Sequence, residues 1–285
     1  MTPYRTMLKT ESGRGYRLLG TWAVRDHGSG AAPIGLQELR PSDESPATNF
    51  PPIVTSLIGQ SAAALLLLRD LVSAYRVVTL TGPGGIGKTT LAIEVARHLL
   101  ADFGDGGWLV ELASVADPNI VPSVAASVLG LKLVGDTISG ETVARAIGGQ
   151  YLLLILDNCE HVIDAAANLA EMLVRLCPRT TILATSREVF RIDGEYVYRV
   201  PPLDVPAAGE DEPAHILGHS AVELFIARAR ALDADFSSRA EHLPAIAAIC
   251  RQLDGIPLAI EFAAARAATL GIQQVASDCA IDSRC

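Results

Sequence analysis

From Leu57 onward, short continuous apolar runs alternate with segments whose apolar residues recur every three or four positions. The runs predict strands at Val77–Leu80, Trp108–Leu112, Leu152–Leu156, Thr181–Thr185 and Tyr196–Val200, because each is four or five residues long and bounded by turn-forming residues. Between them, Leu91, Val95 and Leu99 step by four, and Val162, Ala166, Leu169, Leu173 and Leu176 step by four and three. Stripes of that period mark helices with one face on a core. Strand and helix in alternation predict an α/β fold, a three-layer sandwich built on a mainly parallel sheet. Past Pro206 the strand pattern stops. Ser220 and Glu223 have capping-box spacing, and helical patterns follow near 244–253 and 257–269, so a small helical domain is expected after the sheet. Residues 26–56 mix Gly, Ser, Pro and Asp with isolated apolar positions and read as a linker.

The chemistry concentrates where the first strand meets the first helix. Gly82-Pro83-Gly84-Gly85-Ile86-Gly87-Lys88-Thr89 fits the phosphate-loop pattern GxxxxGK[ST], between a predicted strand and a predicted helix. Glycines let backbone N–H groups converge on phosphate oxygens, and the helix start adds the positive end of its dipole. These features predict a P-loop NTPase that binds a nucleoside di- or triphosphate; ATP or ADP is what the resemblance given below implies. Lys88 would neutralise the β and γ phosphates, Thr89 would ligate Mg²⁺, and Thr90 extends the binding segment. Asp157 follows the run Tyr151–Leu156 and is the candidate for the metal shell. The next residue, Asn158, is not a base. Glu160 is the nearest candidate to orient water, with a role as a helix N-terminal acid as the competing reading. Arg187, after "TILATS", sits at the same predicted sheet edge and could report on a γ phosphate or simply be a surface arginine.

The segments "TSLIG", "TGPGGIGKTTLA", "LILDNCEH", "ILATSRE", "VELFIARA" and "LDGIPLAIEFAAAR" together resemble the NB-ARC-like branch of the signal-transduction ATPases with numerous domains, as found in bacterial transcriptional regulators. The resemblance covers about three quarters of the chain, residues 55 to 266. It implies that Pro257, in Gly255-Ile256-Pro257, touches the nucleotide from the helical domain, although Gly then Pro is also ordinary helix-start chemistry. Where such proteins usually read Gly-Arg-Glu, this chain has Gly59-Gln60-Ser61. A second segment, "LKTESGRGYRLLG", resembles the last hairpin of a winged-helix DNA-binding domain, which would bring Arg14, Tyr16 and Arg17 near DNA.

The resulting expectation is a β-hairpin remnant of a winged helix over 1–22, a linker over 23–54 and a nucleotide-binding domain over 55–206. A helical domain over 207–272 and an irregular tail over 273–285 complete it. A hairpin without its recognition helix predicts a fragment or a chain with a late start, in which the specific DNA binding of the full-length parent type is lost. The resemblance implies a nucleotide-dependent regulatory switch with slow Mg²⁺-dependent ATP hydrolysis coupled to domain closure, and a possible homo-oligomer in the ATP state. A non-hydrolysing scaffold that holds ADP is the alternative, and a small-molecule kinase a further one.

Charge and cysteine content adjust this picture slightly. The net charge is −9, yet residues 1–25 carry five basic side chains against Glu11 alone, so any contact with a polyanion is expected at the N-terminus. The five cysteines form no CxxC pair and no cluster at metal-ligand spacing, which predicts reduced or buried thiols. The longest apolar runs, Ala62–Leu68 and Tyr151–Leu156, are too short to span a bilayer, and no secretory leader is legible. A cytoplasmic protein without a membrane span is expected.

Overall fold

The computed structural model describes residues 8–11, 15–18, 46–52, 58, 62–133, 138–210, 212–233, 236 and 240–282. They fall into two units, Met1–Glu44 and Ser45–Cys285. In the first, β1 (Leu8–Glu11) and β2 (Gly15–Leu18) form an antiparallel pair in which Lys9 lies opposite Arg17 and Thr10 opposite Tyr16. The expected hairpin is therefore present. Arg14 lies outside the described residues, as do Gly59, Gln60 and Ser61.

The second unit opens with α1 (Ala62–Ala74), β3 (Val77–Thr81), α2 (Lys88–Leu99) and β4 (Gly107–Glu111). Next come α3 (Val121–Val128), α4 (Gly140–Ile147), β5 (Leu153–Asp157), α5 (Ile163–Leu176), β6 (Thr181–Ser186) and β7 (Glu195–Arg199). The five strands β3 to β7 form one sheet in the order β4-β5-β6-β3-β7, every pairing parallel. The continuous apolar runs have a direct cause, because both faces are covered. Leu153 and Ile155 of β5 join Val78, Leu80 and Leu183 under α1 and α2. Leu154 and Leu156 point the other way, with Ile182 and Ala184, under α3, α4 and α5. Each fully buried leucine contributes about 1.5–3 kcal/mol relative to exposure. Arg76, at the entry to β3, donates to the carbonyls of Cys177, Pro178 and Thr180 and so ties the α5–β6 turn to the start of β3.

Part of the segment read as linker from its composition lies along the sheet. Thr48 bridges Gly107 in parallel, Asn49 Nδ2 donates to the Leu109 carbonyl at 2.8 Å, and the Leu109 N–H donates back to Asn49 Oδ1 at 2.7 Å. A side chain thereby satisfies the free edge of β4. Asn49→Ala is expected to cost about 1–3 kcal/mol, read as a lower urea midpoint with unchanged slope and faster exchange of the Leu109 amide.

The helical part comprises α6 (Pro213–Leu217), α7 (Ser220–Leu232), α8 (Leu243–Gln252), α9 (Pro257–Leu270) and α10 (Ile272–Asp282), packed on their own core around Phe225, Ile246 and Ile260. Two local expectations are corrected. The capping box at Ser220 does not form. The helix is preceded by His219, and the Ser220 hydroxyl instead accepts from the Asp204 N–H at 2.9 Å. The tail expected to be irregular is helical over Ile272–Asp282, because Ile272 and Val275, one turn apart, are buried against the helical core.

His219 also joins the connection from the sheet to α7, with Nδ1 against Asp204 and Nε2 3.2 Å from Glu210. Burial opposes its protonation, but the hydrogen bonds to the two carboxylates outweigh it and raise the pKa above 6.5. The Ala207 N–H and His219 in turn hold Glu210 below 4.5. The stabilisation from His219 is complete below about pH 6.5 and is lost as pH rises through its higher folded value; that from Glu210 is complete above about 4.5 and is lost on acidification. His219→Gln is accordingly expected to remove more stability at pH 5.5 than at pH 8, as measured by urea unfolding at the two values.

Candidate functional site

β3 delivers the chain to Gly82, and the turn closes at Gly87, which precedes α2 with φ 94° and no side-chain cap. The first N–H groups of α2 therefore face the loop without a protein acceptor from that position. Gly82, Gly85 and Gly87 all have positive φ. Gly85 has a tertiary reason as well: a Cβ there would come within 2.7 Å of Leu258 Cβ, and the Gly85 carbonyl accepts from the Leu258 N–H at 3.1 Å. The start of α9 is thus bonded to the loop itself. Lys88, only 9% exposed, lays its Nζ back over the loop and donates to the Gly82 carbonyl at 2.9 Å and to that of Pro83 at 3.1 Å. Burial lowers its pKa, countered by Glu160 and Asp157.

The carboxyl ends of β5 and β6 supply the opposite wall. Asp157 Oδ1 accepts from the hydroxyls of Thr89, at 2.6 Å, and Thr185, at 2.7 Å. Asn158 adopts the left-handed conformation at φ 61°, and its N–H donates to Thr185 Oγ1. Its amide lies 3.4 Å from His161 Nδ1, while His161 Nε2 meets the Leu112 carbonyl at 2.9 Å. A carbonyl only accepts, so Nε2 carries the proton and Nδ1 is left to accept from Asn158. Glu160 sits on a single turn after β5 with Oε1 3.1 Å from Arg187 Nε. Its Oε2 is buried and has no hydrogen-bond partner among the described residues. Arg187 extends over Gly84, where an added Cβ would lie 3.0 Å from its Nη2.

The loop glycines from Gly84 to Gly87, Lys88 and Thr89 on one side and Asn158, Glu160, Thr185 and Arg187 on the other line a cavity of about 360 Å³. The glycine cradle, the uncapped helix start, the inward lysine and the orphaned carboxylate oxygen fit a polyphosphate bearing a hydroxyl-ligated divalent cation. Thr89 and Asp157 are the side chains that would hold such a cation; among the described residues there is no cluster of three His, Cys, Asp or Glu that could hold a metal alone. Of the residues singled out from the sequence, Gly84, Gly85, Gly87, Lys88, Thr89, Thr90, Glu160, Arg187 and Pro257 border this space, Gly82, Pro83 and Ile86 border a neighbouring cavity, and Asp157 reaches it through the Thr89 hydroxyl. Leu258 and Glu261 also border it, and sequence reasoning did not single them out. Glu261 is held by Arg228 of α7 at 2.9 Å. Leu258 directly follows Pro257 and Glu261 lies one helical turn after it, and that placement on the first turn of α9 is the signal that could have found them. The buried thiols are inert by comparison: burial drives Cys159 far above the ordinary range and Cys250 to about 12.

No protein-family model matches the chain. An uncharacterised Mycobacterium tuberculosis protein is 41% identical over 217 residues, which cover 76% of this chain and 52% of that protein. A second protein of that organism, provisionally named as an HTH-type transcriptional regulator, is 41% identical over 209 residues, or 73% of this chain and 22% of the relative. The chain thus spans about half the length of the first relative and about a fifth of the second. Among solved structures, the Aeropyrum pernix ORC2 protein, determined as ADPNP-ADP complexes, superimposes with a TM-score of 0.52 at 14% identity, covering 79% of this chain and 70% of that one. The fold is that of the P-loop NTPase-like α/β proteins, followed by a helical part. No helix among the described residues is long and apolar enough to cross a membrane.

Proposed function

We propose that this chain is the nucleotide-binding module of a regulator, holding ATP or ADP with Mg²⁺ between the sheet, residues 55–206, and the helical domain, residues 207–272. The observation that carries the reading is the bond between the two: the Leu258 N–H meets the Gly85 carbonyl at 3.1 Å, so whatever the loop binds is felt at the start of α9. Lys88 neutralises phosphate charge, Thr89 and Asp157 hold the cation, and Pro257 closes the nucleoside side. The bound cation supplies charge neutralisation. Relatives named as regulators support a role in transcription, and the hairpin bearing Tyr16 and Arg17 supports a DNA-contacting parent protein.

Glu160 and Arg187 decide between a hydrolysing switch and a scaffold that holds ADP. With Oε1 already paired to Arg187, Glu160 has only its unpartnered Oε2 left to orient water, which favours hydrolysis well below about 1 s⁻¹, the low end for ordinary enzymes. A fluorescent ADP analogue is expected to bind saturably, with slow phosphate release from ATP that Glu160→Gln abolishes. Release unchanged by that substitution would take the catalytic role from Glu160, no release from the wild type would leave the scaffold reading, and no saturable binding at all would end the proposal. Arg187→Ala is expected to cut the preference for ATP over ADP about tenfold, equivalent to about 1.4 kcal/mol, while ADP affinity changes little. Competition titration measures both.

A further inference from the structure

A second and larger cavity, about 740 Å³, lies on the other side of Gly82 and Pro83. No residue of the edge strand β7 belongs to the core under α3, α4 and α5. On β7, Glu195, Val197 and Arg199 share a face, while Tyr196 and Tyr198 pack toward α1. Val197 is left 42% exposed, and Val189, Val200, Pro202 and Ile256 continue the apolar surface.

The polar rim is held in place by built features. Both oxygens of Glu195 accept backbone N–H groups, from Phe190 at 2.9 Å and from Arg191 at 2.8 Å, while Phe190 is buried beneath. This holds Arg191 at φ 59°. Among the described residues only three non-glycine positions have positive φ: Asn158, which borders the phosphate-loop cavity, and Arg191 and Asp254, which border this one. Backbone held in such conformations concentrates at functional sites. Arg199 is placed by register, opposite Thr81 at the carboxyl edge of the sheet. Neither the Arg191 nor the Arg199 guanidinium has a hydrogen-bond or ion-pair partner among the described residues, unlike Arg187, which is paired with Glu160.

We propose that this cavity binds a small amphipathic monoanion, with its anionic head on Arg191 and Arg199 and its apolar body on the Val197 and Val200 floor. The volume is that of a pocket for a drug-sized molecule. Glu188 and Asp254 also line it. They counter the two free guanidinium groups, disfavour a polyanion such as a nucleotide, and suit an N–H or O–H donor on the ligand.

The probe is 8-anilinonaphthalene-1-sulfonate, which carries a sulfonate, an anilino N–H and an aromatic body. Fluorescence titration of the full chain is expected to show one saturable site. Arg191→Ala with Arg199→Ala should weaken it at least tenfold, and Val197→Asp should weaken it similarly. Both arginines are on the surface, and an unchanged melting temperature confirms that the double variant is folded. Lys88→Ala should leave the probe affinity within about twofold, which separates this site from the phosphate loop. Absence of saturable binding would overturn the proposal. So would a double variant that binds as tightly as the wild type, since the dye would then be on another apolar patch, such as that at Phe262, which is 66% exposed.

Discussion

Lys88→Ala is expected to abolish the stabilisation that ATP or ADP confers. With free nucleotide at one hundred times its dissociation constant, binding to the native state alone raises stability by about 2.7 kcal/mol. For a domain of this size that corresponds to a melting temperature higher by about 5–10 °C. Lys88 is the charge on which this depends, since it is almost fully buried with its Nζ held over the Gly82 and Pro83 carbonyls. Its removal leaves the phosphates facing Glu160 and Asp157 without a buried counter-charge. The variant itself should fold, because the lysine accepts a burial cost that alanine does not. Scanning calorimetry with and without nucleotide reads the result. A shift in the variant as large as in the wild type would sink the phosphate-loop assignment.

The second large effect is on the junction between sheet and helices. Gly255 has φ 66°, and a Cβ added there would lie 2.2 Å from the Leu203 carbonyl oxygen, a backbone atom that cannot swing aside. Leu203 is also bonded to it, its N–H donating to the Gly255 carbonyl at 2.9 Å. Gly255→Ala therefore combines a left-handed penalty of about 1–2 kcal/mol with the displacement of a bond worth about 1 kcal/mol, for about 2–3 kcal/mol in all. Gly209→Ala is the internal control. Gly209 has φ 83° but nothing within 4 Å of the added carbon, so only the conformational part should appear. Urea unfolding of the two variants separates strain from collision. If they were equally destabilised, the close approach at Leu203 would have no energetic weight. Because Gly255 sits two residues before Pro257, the same substitution should also weaken ADP binding, whereas Gly209→Ala should not.

The strands were legible to within a residue because a parallel sheet covered on both faces forces unbroken apolar runs such as Leu152–Leu156. The helix beginning at Lys88 was legible for the complementary reason, a stripe at Leu91, Val95 and Leu99 directly after glycines. The α10 helix was missed because its polar residues outnumber the few that reach the core, Ile272 and Val275 among them. Asn49 was hidden inside a stretch with linker composition, since one asparagine bonded to a strand edge leaves no periodic trace.

By itself, the sequence determined the order of elements, the phosphate loop and the acidic residue at the end of β5, because propensity, periodicity and motif spacing are local properties of the chain. The tertiary structure decided which distant groups meet. Asp157 receives the hydroxyls of both Thr89 and Thr185; Glu160 pairs with Arg187, and Leu258 reaches Gly85. These contacts span up to about 170 residues and depend on strand order and on the path of the chain from β7 to α9. No local signal encodes either, because both follow from how the three cores close together.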